Sequence, residues 1–194
     1  GLPNAGKSSL YNALAGGGAL AAPYAFATVD PNVGVAKVLD SRLDALAEMS
    51  KSKNVIPTAV QFVDIAGLVK GAAQGEGLGN RFLAHIREVD ATVFVLRAFE
   101  DTDVPGSSDP AEQLEILELE LITADLEAMK KHIDKRRKAA RSNPVLAPEV
   151  AAMEAAIDVL GAGTPVWRAG LGDDTLALLK AEQLLTSKPV IVLV

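Results

Sequence analysis

The chain has 194 residues, a length that is enough for one well-cored α/β domain with an appendage or for two small domains. Of these residues 49% are hydrophobic and 23% charged, a composition too apolar for a disordered chain. It has no cysteine, which excludes disulfides, zinc–thiolate sites and a cysteine nucleophile and fits a reducing cytoplasm. The net charge of −6 argues against a surface that grips nucleic acid everywhere, and no apolar run approaches the roughly 20 residues of a membrane span.

The first eight residues form a recognisable loop motif. Residues 1–8 read Gly-Leu-Pro-Asn-Ala-Gly-Lys-Ser and match G-x-x-x-x-G-K-[ST] at all four fixed positions. Gly1 and Gly6 let the backbone bend so that successive N–H groups point at phosphate oxygens. Lys7 brings a positive charge to the β- and γ-phosphates, and Ser8 offers a hydroxyl to Mg²⁺. The motif predicts a P-loop that binds a nucleoside triphosphate together with Mg²⁺.

The helix that follows this loop supports the same interpretation. Residues 9–14 are predicted to be helical, with the positive end of the helix dipole facing the phosphates. The residues expected to contact the nucleotide are Asn4, Ala5, Gly6, Lys7, Ser8 and Ser9.

Two switch elements of a GTPase-like site follow along the chain. Residues 60–64 form a predicted strand that ends in Asp64, and Asp64 and Gly67 are the fixed residues of a D-x-x-G motif. The carboxylate of Asp64 is expected to help hold Mg²⁺, and the N–H of Gly67 is expected to contact the γ-phosphate. Thr28 is the natural switch threonine. We therefore predict Lys7, Thr28 and Gly67 as catalytic residues, and Ser8, Thr28 and Asp64 as metal ligands.

The residue after Gly67 is Leu68, where Ras-like enzymes carry a glutamine that orients the attacking water. A leucine cannot orient water, so either hydrolysis is slow or another group places the water: a side chain elsewhere, a partner, or a monovalent cation such as K⁺ near Asn4. Residues 71–79 contain four glycines, which is typical of a loop that reorders with the γ-phosphate or of a flexible linker.

The second half of the chain predicts a helical insertion in an α/β core. Residues 80–89 are expected to form a helix and 91–97 a buried parallel strand; near the end, 173–185 are expected to form a helix and 188–194 a strand. Between them, two apolar seams with three- and four-residue spacing predict an antiparallel helical hairpin over 110–163, broken near Pro144 and Pro148. The seams consist of Leu119, Ile122, Leu126, Met129 and Ile133, and of Val150, Met153, Ile157 and Leu160.

The predicted architecture is therefore an α/β P-loop NTPase of the GTPase-like class, with a mostly parallel sheet and helices on both faces. Residues 1–109 and 164–194 would form the nucleotide-binding domain and 110–163 the inserted coiled-coil helical domain. Since Gly1 already begins the P-loop motif and 190–194 form a buried strand, we expect further chain on both sides.

The end of the predicted hairpin is basic. It is either a solvated helix face or a contact surface for RNA phosphates, and the sequence leaves both open. The basic residues are Lys130, Lys131, Lys135, Arg136, Arg137, Lys138 and Arg141.

Taken together, these motifs resemble the YchF family of Obg-like ATPases, within the Obg group of translation-related NTPases. The resemblance implies a P-loop domain, a coiled-coil insertion, a C-terminal TGS domain, ribosome binding, and a hydrophobic residue in place of the catalytic glutamine, as at Leu68. It also implies a preference for ATP over GTP, through an N-x-x-E base-reading motif that would begin just after Val194. The matching segments are residues 1–8, 26–35, 64–72, 75–80, 87–91 and 119–126.

One departure from the family concerns the loop after the strand end at 99–100. Family members tend to carry a histidine there that is proposed to aid hydrolysis, whereas residues 101–106 contain none and look about three residues short. His85 lies on a predicted helix and is not a substitute.

The leading hypothesis is a monomeric cytoplasmic ATPase switch, possessing no membrane segment, that uses Mg²⁺ and engages the ribosome and its RNA. The alternatives are an Obg-type GTPase and a nucleotide-gated binding module with negligible turnover.

Overall fold

The computed structural model describes residues 1–15, 32–65, 67–68, 78–101 and 103–194, without the side chains of 78–82. Thr28 and residues 71–77 of the glycine-rich segment therefore lie outside the described residues. The helices are α1 (Lys7–Ala15), α2 (Ser41–Ser50), α3 (Leu78–Glu88), α4 (Pro110–Ser142), α5 (Ala147–Gly161) and α6 (Asp173–Leu179), and the strands are β1 (Asn32–Lys37), β2 (Ala59–Asp64), β3 (Thr92–Val95) and β4 (Val190–Leu193).

The described strands form two pairs. Strand β3 is parallel to β4, with Thr92 opposite Val190, as the sequence predicts. The prediction that 190–194 are buried is wrong: residues 191–194 are exposed, because β3 is the only described strand that pairs with β4.

Strand β1 is antiparallel to β2, with Asn32 opposite Asp64, although the connection through α2 is long enough for a parallel crossover. The sequence analysis did not identify β1 and α2. Helix α2 carries Leu43, Leu46 and Met49 at three-residue spacing, a pattern that the sequence analysis overlooked, although none of its residues is buried in the described structure.

The predicted helical hairpin is present as α4 and α5. Asp109 caps the start of α4 by accepting a hydrogen bond from the N–H of Ala111 (2.9 Å). The helix ends at Ser142, with Asn143 as its C-cap, just before Pro144. A 3₁₀ turn over Pro144–Leu146 leads into α5, which returns along α4. None of the described helices is both long and apolar enough to cross a bilayer.

Two separate groups of buried side chains stabilise this arrangement, and α4 contributes to both. The sheet core joins α3, β3 and the first half of α4, and the hairpin core joins α4, α5 and α6. The sheet core consists of Leu68, Leu83, Ile86, Phe94, Leu96, Leu117, Leu121, Ala124 and Leu185. The hairpin core consists of Ile122, Met129, Ile133, Ala152, Met153, Ala156, Leu160, Val166, Leu179 and Leu184.

The predicted seam of α4 is wrong at one position. Leu119 is 58% exposed, whereas Leu117 and Leu121 are buried in the sheet core. Residues 117, 121 and 124 share one helix face, and position 119 lies on the opposite side. The other members of the two predicted seams are buried, packed against the hairpin core or, at Val150, half-buried.

The last predicted helix is also shorter than expected. Helix α6 ends at Leu179 and gives way to 3₁₀ turns at Lys180–Glu182 and Leu185–Ser187. Gln183 adopts a left-handed conformation (φ 51°), which stops the helix, and the carboxylate of Asp125 accepts hydrogen bonds from the N–H groups of Leu185 and Thr186.

Candidate nucleotide-binding site

The P-loop adopts a conformation with two left-handed residues. Asn4 has φ 63° and Gly6 has φ 91°. A Cβ added to Gly6 would meet no atom within 4 Å, so glycine is favoured there by its backbone angle and not by space. Asparagine is among the side chains that tolerate this region best. The loop enters α1 directly, where the N–H of Leu10 donates to the carbonyl of Gly6 (2.9 Å). The amino end of α1 thus begins in the loop, as an anion site requires.

The ammonium group of Lys7 is folded back onto the loop. Its Nζ donates to the carbonyl oxygen of Leu2 at 2.8 Å. Burial lowers the pKa of Lys7 to about 8, and the nearby Asp64 carboxylate opposes that effect. Because burial makes the charged form of Lys7 unfavourable, binding of a polyanionic ligand would stabilise that charged form.

Ser8 and Asp64 are 56 residues apart in the sequence and meet in the structure. The hydroxyl of Ser8 donates to Oδ2 of Asp64 at 2.6 Å, and Asp64 is buried at the end of β2. A hydroxyl and a carboxylate are hard oxygen donors, which suit Mg²⁺ when phosphate oxygens complete the coordination. Within the described residues, no cluster of three or more His, Asp or Glu side chains could hold a metal by itself.

The D-x-x-G motif lies directly against the P-loop. A Cβ added to Gly67 would lie 2.7 Å from the N and 2.9 Å from the Cα of Pro3. The N–H of Leu68 donates to the carbonyl oxygen of Gly1 at 3.2 Å. The predicted γ-phosphate contact and the predicted phosphate cradle are therefore neighbours. Of the predicted site residues, only Thr28 lies outside the described residues.

The Leu68 side chain belongs to the sheet core, where it is 1% exposed. This placement agrees with the expectation that position 68 does not orient a water molecule, because an apolar side chain in the core has no hydrogen bond to offer.

Arg97 organises the loop after β3, and sequence reasoning missed it. Its guanidinium donates to the carbonyls of Phe99 and Val104, each at 2.9 Å, and it is only 4% exposed. This loop starts beside the P-loop, because a Cβ on Gly1 would lie 2.1 Å from the carbonyl oxygen of Val95. The position of Arg97, a charged residue at the end of an apolar strand, could have indicated this role.

Gly34 is a second residue that the sequence analysis did not single out. A Cβ at Gly34 would lie 2.5 Å from the Cβ of Ala15 and 2.7 Å from the Oη of Tyr11. Helix α1 therefore packs on β1 through a glycine, so the elements on either side of residues 16–31 are in direct contact. A glycine inside a strand pattern can indicate such a close approach.

The basic end of α4 is divided between ion pairs and free cations. Arg136 pairs with Glu149 and Arg137 with Glu154 of α5, each at 2.8 Å. The other five basic side chains are exposed and make no ion pair with any described residue. They are Lys130, Lys131, Lys135, Lys138 and Arg141.

A P-loop that leads into a helix, next to a strand ending in D-x-x-G, defines a P-loop NTPase of the GTPase-like class. The comparisons with known proteins agree. A family model described as 50S ribosome-binding GTPase matches residues 1–141. The ribosome-binding ATPase YchF of Bacillus subtilis is 45% identical over 98% of this chain, and its namesake from Haemophilus influenzae is 45% identical over 97%.

A solved structure gives the same result. The Schizosaccharomyces pombe YchF GTPase matches with a TM-score of 0.78 and 36% sequence identity over 100% of this chain. The chain belongs to the family of 50S ribosome-binding GTPases and, within it, to the YchF family. It spans about half the length of the relatives it matches, 53% of the two bacterial proteins and 54% of the yeast chain.

Proposed function

We propose that this chain binds and hydrolyses ATP with the help of Mg²⁺, that GTP is an alternative substrate, and that the bound nucleotide governs association with the ribosome. The observation that carries this proposal is the convergence of Lys7, Ser8, Asp64 and Gly67. The bacterial relatives are named ATPases and the yeast relative a GTPase, so the base preference is the finer part of the proposal.

Each group at the site has a role in phosphoryl transfer. The Lys7 ammonium and the backbone N–H groups of the loop stabilise negative charge on the transferred phosphoryl group while water attacks the γ-phosphorus. Ser8, Asp64 and Thr28 would hold Mg²⁺, which neutralises phosphate charge when bound. Gly67 and Thr28 would report whether the γ-phosphate is present.

A second candidate function is a nucleotide-gated binding module with negligible turnover. The burial of Leu68 in the sheet core favours it, as does the absence of histidine from residues 101–106. If turnover occurs, a K⁺ ion near Asn4 is a candidate for placing the water or for neutralising charge.

Binding is tested by titrating the purified protein with fluorescent ATP and GTP analogues, in Mg²⁺ and in EDTA. We expect affinity that depends on Mg²⁺ and a large loss of that dependence in Ser8→Ala. Ser50→Ala, which changes an exposed serine of α2, serves as the matched control. Failure of both nucleotides to bind in Mg²⁺ would refute the proposal.

Turnover is tested by phosphate release with and without ribosomes, in K⁺ and in Na⁺. Release that rises with ribosomes or with K⁺ supports an enzyme with an externally supplied group. Tight binding with no release under any of these conditions supports the binding module.

The exposed lysine and arginine side chains at the end of α4, which make no ion pair with any described residue, favour the ribosome as the partner. At about 100° per residue, the five lysine and arginine side chains fall within an arc of about 140°, roughly opposite the apolar seam around Met129 and Ile133. A one-sided cationic stripe on a chain of net charge −6 suits the phosphate backbone of RNA better than a protein surface.

The RNA contact is tested by ribosome binding at several salt concentrations. The triple variant Lys131→Ala, Lys135→Ala and Lys138→Ala should weaken binding and reduce the log–log salt slope by about 3, since each lost phosphate contact changes it by about 1. Lys51→Ala with Lys53→Ala, on the connection after α2, should change neither. Equal salt slopes in the triple variant and the wild type would exclude this surface.

We also propose that 110–163 form an inserted helical domain between 1–109 and 164–194, and that the protein is a cytoplasmic monomer. Most side chains of the hairpin core come from α4 and α5, which supports the first point, although the first half of α4 packs in the sheet core and α6 adds to the hairpin core. Limited proteolysis should cut near the domain junctions first, and light scattering should give the mass of one chain. A dimer mass, or first cuts inside α5, would contradict these points.

A further inference from the structure

Leu68 contacts the P-loop through its backbone and the sheet core through its side chain. Its N–H donates to the carbonyl oxygen of Gly1, in the P-loop, at 3.2 Å. Its side chain is fully buried in the sheet core, together with Leu117, Leu121 and Ala124 of α4. The backbone of this one residue therefore contacts the phosphate cradle, and its side chain packs in the core that the long helix helps to form.

The preceding residue, Gly67, is in close contact with the backbone of the P-loop. Gly67 lies so close to the P-loop that a Cβ would come within 3.1 Å of three backbone atoms of Leu2 and Pro3. A γ-phosphate that draws the Gly67 N–H toward itself must shift this contact. Because Leu68 is the next residue, its side chain must shift with it.

Hydrogen bonds join the helices around the sheet core to the segment before β4. Asp125 of α4 accepts hydrogen bonds from Leu185 N, Thr186 N and Thr186 Oγ1 at 2.9, 2.8 and 2.7 Å. Lys188, two residues beyond Thr186, donates to the carbonyls of Arg87, at 2.7 Å, and Val89, at the end of α3. Since α3, α4 and the turn before β4 are tied together, a shift of Leu68 moves a connected unit.

We infer that Leu68 is a coupling residue that transmits the state of the γ-phosphate to α4 and hence to the cationic stripe on the same helix. This inference rests on the proposed nucleotide site and goes beyond it. A close-packed core changes between discrete arrangements instead of deforming smoothly, so a small shift at Gly67 can alter the packing of the first half of α4. Coupling is reciprocal, so a ligand on the outer face of α4 must in turn change the preference for triphosphate over diphosphate.

The test is hydrogen exchange of the purified protein with saturating ADP or a non-hydrolysable ATP analogue, each with Mg²⁺. In the wild type, amides of residues 114–125 should differ in exchange rate between the two nucleotides by about fivefold or more, the lower end of typical coupling factors. Amides of residues 152–160, in the hairpin core, should not differ.

Three variants make the result specific. Leu68→Ala should still bind both nucleotides and lose the difference at 114–125, and Leu117→Ala, on the α4 side of the same core, should lose it as well. Leu160→Ala removes an equally buried leucine from the hairpin core and should keep the difference. Thermal melts confirm that each variant is folded, and Leu68→Met replaces Leu68→Ala if that variant does not fold, with a reduced difference expected.

The outcomes separate the two proposals. Lack of nucleotide binding in the wild type would overturn the proposed function and this inference together. Binding without an exchange difference at 114–125, or a difference that persists in the Leu68 and Leu117 variants, would overturn the inference alone.

Discussion

The P-loop region is stabilised by one kind of internal contact and the helical hairpin by another. Around Gly67, the backbone of one segment lies against the backbone of another, and an added Cβ would come within 2.7 Å of Pro3. Between α4 and α5, buried side chains such as Met129 and Leu160 fill the interior, and ion pairs such as Arg137–Glu154 lie outside.

This difference determines how each region responds to mutation. Where two backbones touch, no larger side chain fits and the backbone must move. Where side chains fill a core, substitutions that keep the volume are tolerated and those that remove it cost stability. We therefore expect mutations in the hairpin to reduce stability, and mutations around the P-loop to reduce ligand affinity.

The largest expected effect is the loss of stability caused by a mutation in the hairpin core. Leu160→Ala is expected to lower the free energy of unfolding by about 2–5 kcal/mol, because Leu160 is almost fully buried. Leu119→Ala removes the same atoms from an exposed site on α4 and should change stability by less than about 0.5 kcal/mol. Denaturant unfolding of both variants measures the contrast, and similar losses would show that the hairpin core is not the main source of stability here.

The next largest effect should be on ligand binding alone. Lys7→Ala removes the only side-chain ammonium in the P-loop and should weaken nucleotide affinity by about 10- to 150-fold, the equivalent of about 1.5–3 kcal/mol for a charged hydrogen bond. Lys130→Ala, an exposed lysine of α4, is the control. Unchanged affinity and Mg²⁺ dependence in Lys7→Ala, measured by titration calorimetry, would break the assignment of the site.

Gly67→Ala should have a smaller and more selective effect. The added Cβ forces Gly67 away from Pro3, so triphosphate affinity should fall by about tenfold relative to diphosphate affinity, through loss of roughly one hydrogen bond to the γ-phosphate. In Gly172→Ala the added Cβ meets no atom within 4 Å, and both affinities should be kept. Equal losses for the two nucleotides would show that Gly67 shapes the loop without sensing the γ-phosphate.

The most gradual expected effect is a pH dependence of binding, which reaches the size of the Gly67→Ala effect only about one pH unit above the pKa of Lys7. The pKa of Lys7 is lowered to about 8 by burial, and a bound triphosphate favours the protonated form. Affinity should therefore be full below pH 8 and fall above it, approaching tenfold per pH unit. In Lys7→Arg the charge persists, so affinity measured between pH 7.5 and 9.5 should be flat. The same slope in both proteins would assign the titration to another group.

The same contrast explains which features the sequence predicted. The P-loop motif and the D-x-x-G motif encode local backbone conformation, so the arrangement of Gly6, Lys7 and Asp64 could be anticipated from a few residues. Contacts between distant segments could not. A glycine in a strand, as at Gly34, can indicate a close approach, but no local pattern identifies Tyr11 and Ala15 as the side chains that approach it.

Helices were predicted where one face carries a regular apolar stripe. The seam of α4 continues through Leu119 in the sequence, but spacing alone does not show that the first half of the helix packs on a different core. Helix α2 carries the short pattern of Leu43, Leu46 and Met49, which was overlooked, and it buries no residue in the described structure. Gln183 is left-handed, a conformation that its residue type does not favour, and it lies two residues before the turn whose N–H groups bond to Asp125.

The contact at Gly34 also fixes how α1 and β1 lie against each other. Tyr11 and Ala15 meet Gly34 directly, so the end of α1 is held against β1. One extra carbon at Gly34 would overlap both side chains and push α1 away from β1. Because Ser8 lies in α1 and β1 pairs with the strand that ends in Asp64, this displacement would act on the hydrogen bond between Ser8 and Asp64.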